Sequence, residues 1–384
     1  MSQLTFNKKL FYVVSSFAFY LLSTQTQALP DVPPEGVPRP PIHVVPNDQL
    51  LAPNGMSPAQ IKQAYSLPLD NQGLGSTIAI VDSGDDPNIE ADLTTFSNQY
   101  GLPVCTTANG CFTKLYSDGA KPAADPSWAV EISLDVEWAH AIAPQAKIIL
   151  IETQDASSLY NGAAFAIKQK PTVISLSWGS PEFSSELAFD AIFKSSQVPI
   201  VAATGDSGNG VWYPSVSPYV VAAGGTQLNV DANGNYLSEI AWSGSGGGLS
   251  NFEVEPTFQK LFVIAQPKGM RGVPDVAWNA SGNTPYAVYD SFQQSGWIRV
   301  YGTSASAPQW AGVIAIMESS KHGGFRNFNG SIYSVARETT PMLLHDILNG
   351  GNGACTYYCA ARSGYDYVTG LGSPQATLLV NRFR

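Results

Sequence analysis

One serine, two carboxylates a helical turn apart and a third carboxylate in a glycine turn are the residues of this chain whose types and spacing suit acyl transfer. The serine is Ser304, in Gly302-Thr303-Ser304-Ala305-Ser306-Ala307-Pro308. Pro308 is tolerated only in the first turn of a helix, and Trp310 to Met317 reads as a buried apolar helix, so Ser304 falls at a helix N-terminus. There the dipole and the free backbone N–H groups can stabilise a developing oxyanion. A serine in that place can also be a plain N-cap; the residues around it decide.

A serine nucleophile needs a base, and the four histidines, His43, His140, His322 and His345, are poor candidates. His43 lies in a proline-rich stretch, His322 follows the end of a helix, His345 adjoins a candidate metal ligand, and His140 lacks the small-residue context of a serine-peptidase base. A better candidate lies in Asp125-Pro126-Ser127-Trp128-Ala129-Val130-Glu131-Ile132-Ser133-Leu134-Asp135. Asp125 caps a helix whose first position is Pro126. Glu131 and Asp135 are then four apart on one face, their Cβ atoms about 6 Å from each other. Among Trp, Ile, Leu and Val neighbours the two carboxylates share a proton, which raises one pKa and makes that group a usable acid and base. The competing reading is a solvated acidic pair, and that is the reading given to Glu137. A third carboxylate, Asp206, follows the apolar strand Val198 to Ala203 in Thr204-Gly205-Asp206-Ser207-Gly208, where parallel α/β sheets place their chemistry.

These segments resemble the sedolisins, serine-carboxyl peptidases with a subtilisin-like fold, over residues 55–384. The resemblance implies an α/β fold with a doubly wound, mainly parallel sheet and helices on both faces. It assigns Ser304 as nucleophile, Glu131 as general base and acid, Asp135 as the partner orienting Glu131, and Asp206 as oxyanion stabiliser. It also makes Asp82, at the end of Thr77-Ile78-Ala79-Ile80-Val81-Asp82, a neighbour of Glu131, against the reading of a simple strand-end Asp. Val173-Ile174-Ser175-Leu176-Ser177-Trp178-Gly179 resembles the strand lining the substrate cleft, with Trp178 either core or cleft wall. Gly244 to Gly248 reads as a place of close approach for a substrate backbone, or as a flexible loop. A glutamate base still accepts a proton where histidine is already protonated, and an Asp donates to an oxyanion only as the neutral acid. Both features favour work in acid.

Asp346 and Asp366 flank a Gly-rich loop, and hard oxygen donors of that kind suit calcium. The resemblance implies one Ca2+ ion, with these two side chains and the carbonyls of Ile347, Arg362 and Gly364 as ligands. At the other end of the chain, Lys8 and Lys9 precede the apolar run Leu10 to Leu22 and the Thr26-Gln27-Ala28 site, so residues 1–28 read as a secretory signal. In an exported protein the close pairs Cys105/Cys111 and Cys355/Cys359 favour two local disulfides among three connectivities. Residues 29–54 are proline-rich and lack hydrophobic period, which reads as an extended linker or short propeptide. The long prodomain typical of sedolisins is not expected there.

The formal charge of −10 disfavours nucleic acid and anionic membranes as partners. Low charge density, 13% of residues, limits self-repulsion in acid. The expectation is a secreted or periplasmic, monomeric, calcium-binding endopeptidase acting on proteins or peptides, without stable membrane insertion. Two rivals stand beside it: a subtilisin-like peptidase using Asp82, His140 and Ser304, and an inactive pseudo-peptidase that binds peptides or a partner in the same cleft.

Overall fold

The computed structural model describes residues 32, 34–46, 51–292, 294–321, 324, 325, 327–339 and 343–384. The expected signal, 1–28, and His322 lie outside them.

Short apolar runs build the centre. Strands β5 (Val173–Leu176) and β6 (Ile200–Ala203) are buried at every residue, and β2 (Thr77–Ser83) at all but its first. Uninterrupted burial of this kind requires cover on both sheet faces, as in parallel α/β sheets. With β3 (Phe112–Tyr116), β4 (Lys147–Thr153), β7 (Val221–Val230) and β8 (Tyr236–Ala241) they form an eight-stranded sheet of order β8-β7-β6-β5-β2-β4-β3, with β9 (Val276–Asn279) also pairing β7. Every pairing is parallel except β7 with β8. The carboxyl ends of β2, β5 and β6 therefore meet at one edge, and Asp82, Ser177 and Asp206 lie at or just beyond those ends.

Two short helices, α1 (Pro58–Ala64) and α2 (Ile89–Tyr100), precede the one that carries the candidate base. Helix α3 (Pro126–Ile142) starts as expected: Asp125 is the N-cap, its side chain accepting from the Ser127 N–H at 2.8 Å, with Pro126 in the first turn. Every residue from Trp128 to Ile142 is buried. A helix buried on all sides has no solvated face, so Glu131, Asp135 and Glu137 all point into protein. The solvated role expected for Glu137 is overturned. Its carboxylate accepts from the Tyr289 N–H at 3.1 Å, and burial, aided by Asp92, Asp290 and Asp86, raises its pKa well above the usual range. Helix α4 (Leu159–Lys168) packs on β2 and β4, and α5 (Ser306–Ser319), buried from Ser306 to Met317, packs on α3, β5 and β6.

Indole N–H bonds fix this packing: Trp138 donates to the Ala287 carbonyl at 3.0 Å, Trp178 to Val81 at 2.8 Å and Trp310 to Ala277 at 2.9 Å. Trp178 is fully buried, and is core rather than cleft wall. Both local disulfides form, Cys105–Cys111 and Cys355–Cys359. Outside the main sheet, β10 (Tyr286–Asp290) and β11 (Gly296–Tyr301) form an antiparallel pair. Strand β1 (His43–Val44), from the proline-rich segment, adds to β11. No helix among the described residues is long and apolar enough to cross a membrane.

Candidate active site

Ser304 sits in the 3-10 turn Thr303–Ala305 that runs into α5. The turn follows Gly302, whose φ of 134° excludes most side chains. A Cβ there would come within 2.2 Å of the Pro41 carbonyl oxygen and 2.4 Å of Asp206 Oδ2. The serine is fully buried, and its hydroxyl lies 3.5 Å from the Ser177 carbonyl, a long contact. Its backbone N–H donates to the Pro41 carbonyl at 3.3 Å.

Asp206 lies on the turn after β6 and faces the same point. Its Oδ1 accepts from the Thr303 N–H and hydroxyl, both at 2.8 Å, and the Thr303 hydroxyl oxygen accepts in turn from the Gly205 N–H at 3.0 Å. Oδ2 lies 3.2 Å from His43 Nε2. Burial raises the Asp206 pKa, with the His43 and Thr303 hydrogen bonds opposing. The glycine run 244–248 backs this turn: Gly246 N–H donates to the Gly205 carbonyl at 2.8 Å, and a Cβ on Gly246 would stand 1.9 Å from the Thr204 carbonyl oxygen. These glycines serve close approach of the chain to itself, which neither sequence reading anticipated.

On the other side lie three carboxyls. Glu131, Asp135 and Asp82 are fully buried, and neither oxygen of Glu131 or of Asp82 has a hydrogen-bond partner. Burial, then the charges of Asp135 and Asp82, pushes Glu131 well above the usual range; the Ser304 side chain opposes that rise without reaching hydrogen-bonding geometry. Burial and then Asp82 do the same to Asp135, against the Ser177 hydroxyl and the adjacent Glu131 side chain, which does not reach hydrogen-bonding geometry. Burial lifts Asp82 to about 7. Three such groups titrate as one set and hold fewer than three charges. Ser177 links the set to the nucleophile. Its Oγ lies 2.7 Å from Asp135 Oδ1 and 3.2 Å from the Ser304 carbonyl oxygen. A hydroxyl has one proton, so both contacts are hydrogen bonds only when Asp135 is protonated and donates to Ser177.

Two histidines, His140 and His345, are engaged elsewhere. His140 Nε2 bonds the Pro103 carbonyl at 2.7 Å, and burial lowers its pKa to about 4. The subtilisin-like set of Asp82, His140 and Ser304 is therefore not assembled. His140 also lies near Cys105 and Cys111, but their disulfide removes both thiolates as ligands. His345 stacks on Tyr236, and burial lowers it to about 4. His43, set aside for its proline-rich context, is the histidine that reaches the site; composition marks that segment as extended but gives no register.

At the C-terminal loop, Asp346 accepts from the Gly364 N–H at 3.1 and 2.9 Å and from the Ser363 hydroxyl at 3.2 Å. Asp366 Oδ2 accepts from the Arg362 N–H at 3.1 Å, while Oδ1 accepts from Val368 and Thr369 N–H at 2.8 Å each. Ile347 is buried beside them. The 362–364 segment thus bridges the two carboxylates through its N–H groups and the Ser363 hydroxyl, which brings Asp346 and Asp366, two hard oxygen donors, to one loop.

Residues 132–327 match the Subtilase family. Kumamolisin of Bacillus sp. (strain MN-32) is 32% identical over 362 residues, covering 85% of this chain and 63% of that protein. Sedolisin of Pseudomonas sp. (strain 101) is 27% identical over 358 residues, covering 83% of this chain and 60% of that protein. The chain spans about three fifths of the length of these curated relatives. In three dimensions it is similar to the solved structure of Pseudomonas sedolisin, a serine-carboxyl proteinase complexed with two molecules of pseudo-iodotyrostatin. The TM-score is 0.77 at 25% identity, covering 86% of this chain and 98% of that one.

Proposed function

The chain belongs to the Subtilase family and, within it, to the sedolisins, and from that premise we propose that it is a secreted serine-carboxyl endopeptidase working best in acid. Ser304 Oγ attacks the peptide carbonyl while Glu131 takes its proton and later returns it to the leaving amine. Asp135 holds Glu131 in place, and Asp82 keeps a proton within the set. The oxyanion is met by the Ser304 N–H and by Asp206 as a neutral acid.

The protonation requirement is asymmetric. Glu131 can accept a proton only when the Glu131/Asp135/Asp82 set carries a negative charge, and Asp206 can donate only when it carries none. The first ionisation of the set therefore gives the acid limb of activity, and ionisation of Asp206 the alkaline limb. The observation that carries this reading is the burial of Glu131 against Ser304 with both carboxylate oxygens unpartnered, while no described histidine hydrogen-bonds Ser304.

We assign Asp346, Asp366 and the carbonyls of Ile347, Arg362 and Gly364 as the residues that would hold one Ca2+ ion, which would tie residues 346–366 into a rigid loop. The two disulfides accord with an exported protein. Casein digestion by the full chain from pH 3 to pH 8 tests the activity. Turnover confined to acid and lost in Ser304→Ala supports it. A folded protein with no turnover at any pH leaves the pseudo-peptidase.

A further inference from the structure

The turn 105–111 holds its two cysteines together by bonds that do not involve sulfur. Asn109 is its centre: Oδ1 accepts from the Thr106 N–H at 3.1 Å and the Cys111 N–H at 3.0 Å, and Nδ2 donates to the Val104 carbonyl at 2.7 Å. The Thr106 carbonyl accepts from the N–H groups of Cys111 at 3.2 Å and Phe112 at 3.1 Å. From outside, Glu90 on α2 accepts from the Thr107 N–H and hydroxyl, both at 2.9 Å. The Cα atoms of Cys105 and Cys111, 4.9 Å apart, are therefore set by the turn and not by the bond between the sulfurs alone. Opening that bond leaves two thiols on one preformed turn.

His140, in the last turn of α3, stands beside them. One of its ring nitrogens and the two sulfurs all lie within 4.8 Å of one another, and the ring is fully buried. A carbonyl only accepts, so the 2.7 Å contact to Pro103 fixes the hydrogen on Nε2. Burial keeps the ring neutral near pH 7, and Nδ1 then presents a lone pair that meets no donor. A neutral imidazole whose other N–H is held by a backbone carbonyl is the form in which histidine ligates metal ions. Nothing in the mechanism proposed for Ser304 uses this lone pair.

We propose that the reduced chain binds one Zn2+ ion through the thiolates of Cys105 and Cys111 and the imidazole of His140, in the place that the disulfide takes on oxidation. Thiolates combined with imidazole select zinc over the hard cations calcium and magnesium. Tetrahedral Zn–S bonds of about 2.3 Å put two sulfurs about 3.8 Å apart, a separation that side chains on Cα atoms 4.9 Å apart can span. Cys105 is buried but Cys111 is part-exposed, so the ion enters at Cys111 and water fills the fourth position. Two thiolates cancel the charge of the ion, so Lys62, whose charge acts on His140, does not repel the filled site. Binding releases the two thiol protons to water. On oxidation the two sulfurs give two electrons to a disulfide oxidant, which leaves as two thiols. The Cys105–Cys111 bond forms, both Zn–S bonds break, and the ion departs. Metal and disulfide are thus alternatives at one turn, and the structure shows the oxidised one.

The test uses the full chain carrying Ser304→Ala, so that nothing is cleaved, reduced with TCEP under argon near pH 7 at fixed calcium. Titration with Co2+ should saturate at about one ion per chain and give thiolate-to-cobalt charge-transfer absorption with tetrahedral d–d bands, both erased by Zn2+. Cys105→Ser and Cys111→Ser should each abolish the charge-transfer signal of this site, and His140→Gln should weaken Zn2+ binding by at least about tenfold. Replacing the other pair, Cys355→Ser with Cys359→Ser, should leave the signal unchanged, and the oxidised chain should give none. Circular dichroism follows the fold throughout. If the reduced chain loses structure without metal, about one equivalent of Zn2+ should restore it, because the ion then binds the folded state alone. A reduced chain that is folded yet gives no charge-transfer band, or is unfolded and not restored by Zn2+, overturns the proposal. So does cobalt binding that is undiminished in His140→Gln, or that disappears with Cys355 and Cys359.

Discussion

Raising the pH from 4 towards 7 should destabilise this protein. Asp82 has no hydrogen-bond partner, and burial moves its pKa from 3.8 to about 7. Between those values the folded state binds a proton that the unfolded chain has released, so the unfolding free energy falls as pH rises, by about 1.4 kcal/mol per pH unit for one such proton. Over the whole interval Asp82 contributes at most about 4 kcal/mol, because it shares protons with Glu131 and Asp135. Glu131, Asp135 and Glu137, also raised by burial, act in the same sense. His140 and His345, each lowered by burial from 6.5 to about 4, act in the opposite sense between those values, but Asp86, Glu152 and Glu186, raised by burial to about 7, 8 and 9, add to the first group and outweigh them. Asp85, where Lys114 and Lys121 more than offset burial, and Asp155, lowered by the Ser157 hydroxyl, also oppose it, below pH 4. Against a typical total of about 5–15 kcal/mol the loss is large. Urea melts at pH 4, 5, 6 and 7, at fixed calcium, should show the midpoint falling with pH. Asp82→Asn, which cannot ionise, should flatten that slope by up to one proton, about 1.4 kcal/mol per pH unit. A midpoint that is level or rises between pH 4 and 6, or an Asn variant with the wild-type slope, would refute the account of the buried carboxyls.

Calcium removal should lower the melting temperature, because an ion held at the proposed site would bind the folded state alone. Asp346→Ala and Asp366→Ala should mimic the chelator, and a wild-type melting temperature indifferent to EGTA would reduce the loop to a turn. Asp206→Asn supplies a donor at every pH. It should lose about 10²–10³-fold in kcat through imperfect geometry, yet retain more of its residual rate at neutral pH than the wild type does. An Asn variant that declines above pH 6 in parallel with the wild type would place the alkaline limb elsewhere, on the Glu131/Asp135 pair.

The elements of the site were legible because local chemistry announces them. Asp125 and Pro126 mark the start of α3, the apolar run before Asp82 marks β2, and the glycines around Asp206 and Ser304 mark turns that no larger residue could make. The spacing of Glu131 and Asp135 alone places both on one helix face. Glu137 was misread because amphipathic reasoning assumes a wet face, and α3 has none. The path of residues 36–45 over the site was illegible for a different reason. Its register comes from backbone bonds to Gly179, Ser304 and Arg299, more than a hundred residues away, and such bonds leave no periodic trace in the side chains. The same holds for Gly246 and Gly247, whose lack of a side chain is required by the Thr204–Gly205 backbone and by the Tyr367 carbonyl packed against them.

The central claim, that a glutamate and not a histidine takes the serine proton, is tested most directly by kcat/KM on one peptide substrate at the acid optimum for Glu131→Gln and His140→Gln. General-base catalysis is worth about 10²–10⁴-fold. Glu131→Gln should lose at least that factor, while His140→Gln, whose imidazole bonds only the Pro103 carbonyl among described partners, should stay within a few-fold of the wild type. Full activity in Glu131→Gln together with loss in His140→Gln would contradict the account and restore a histidine-based mechanism.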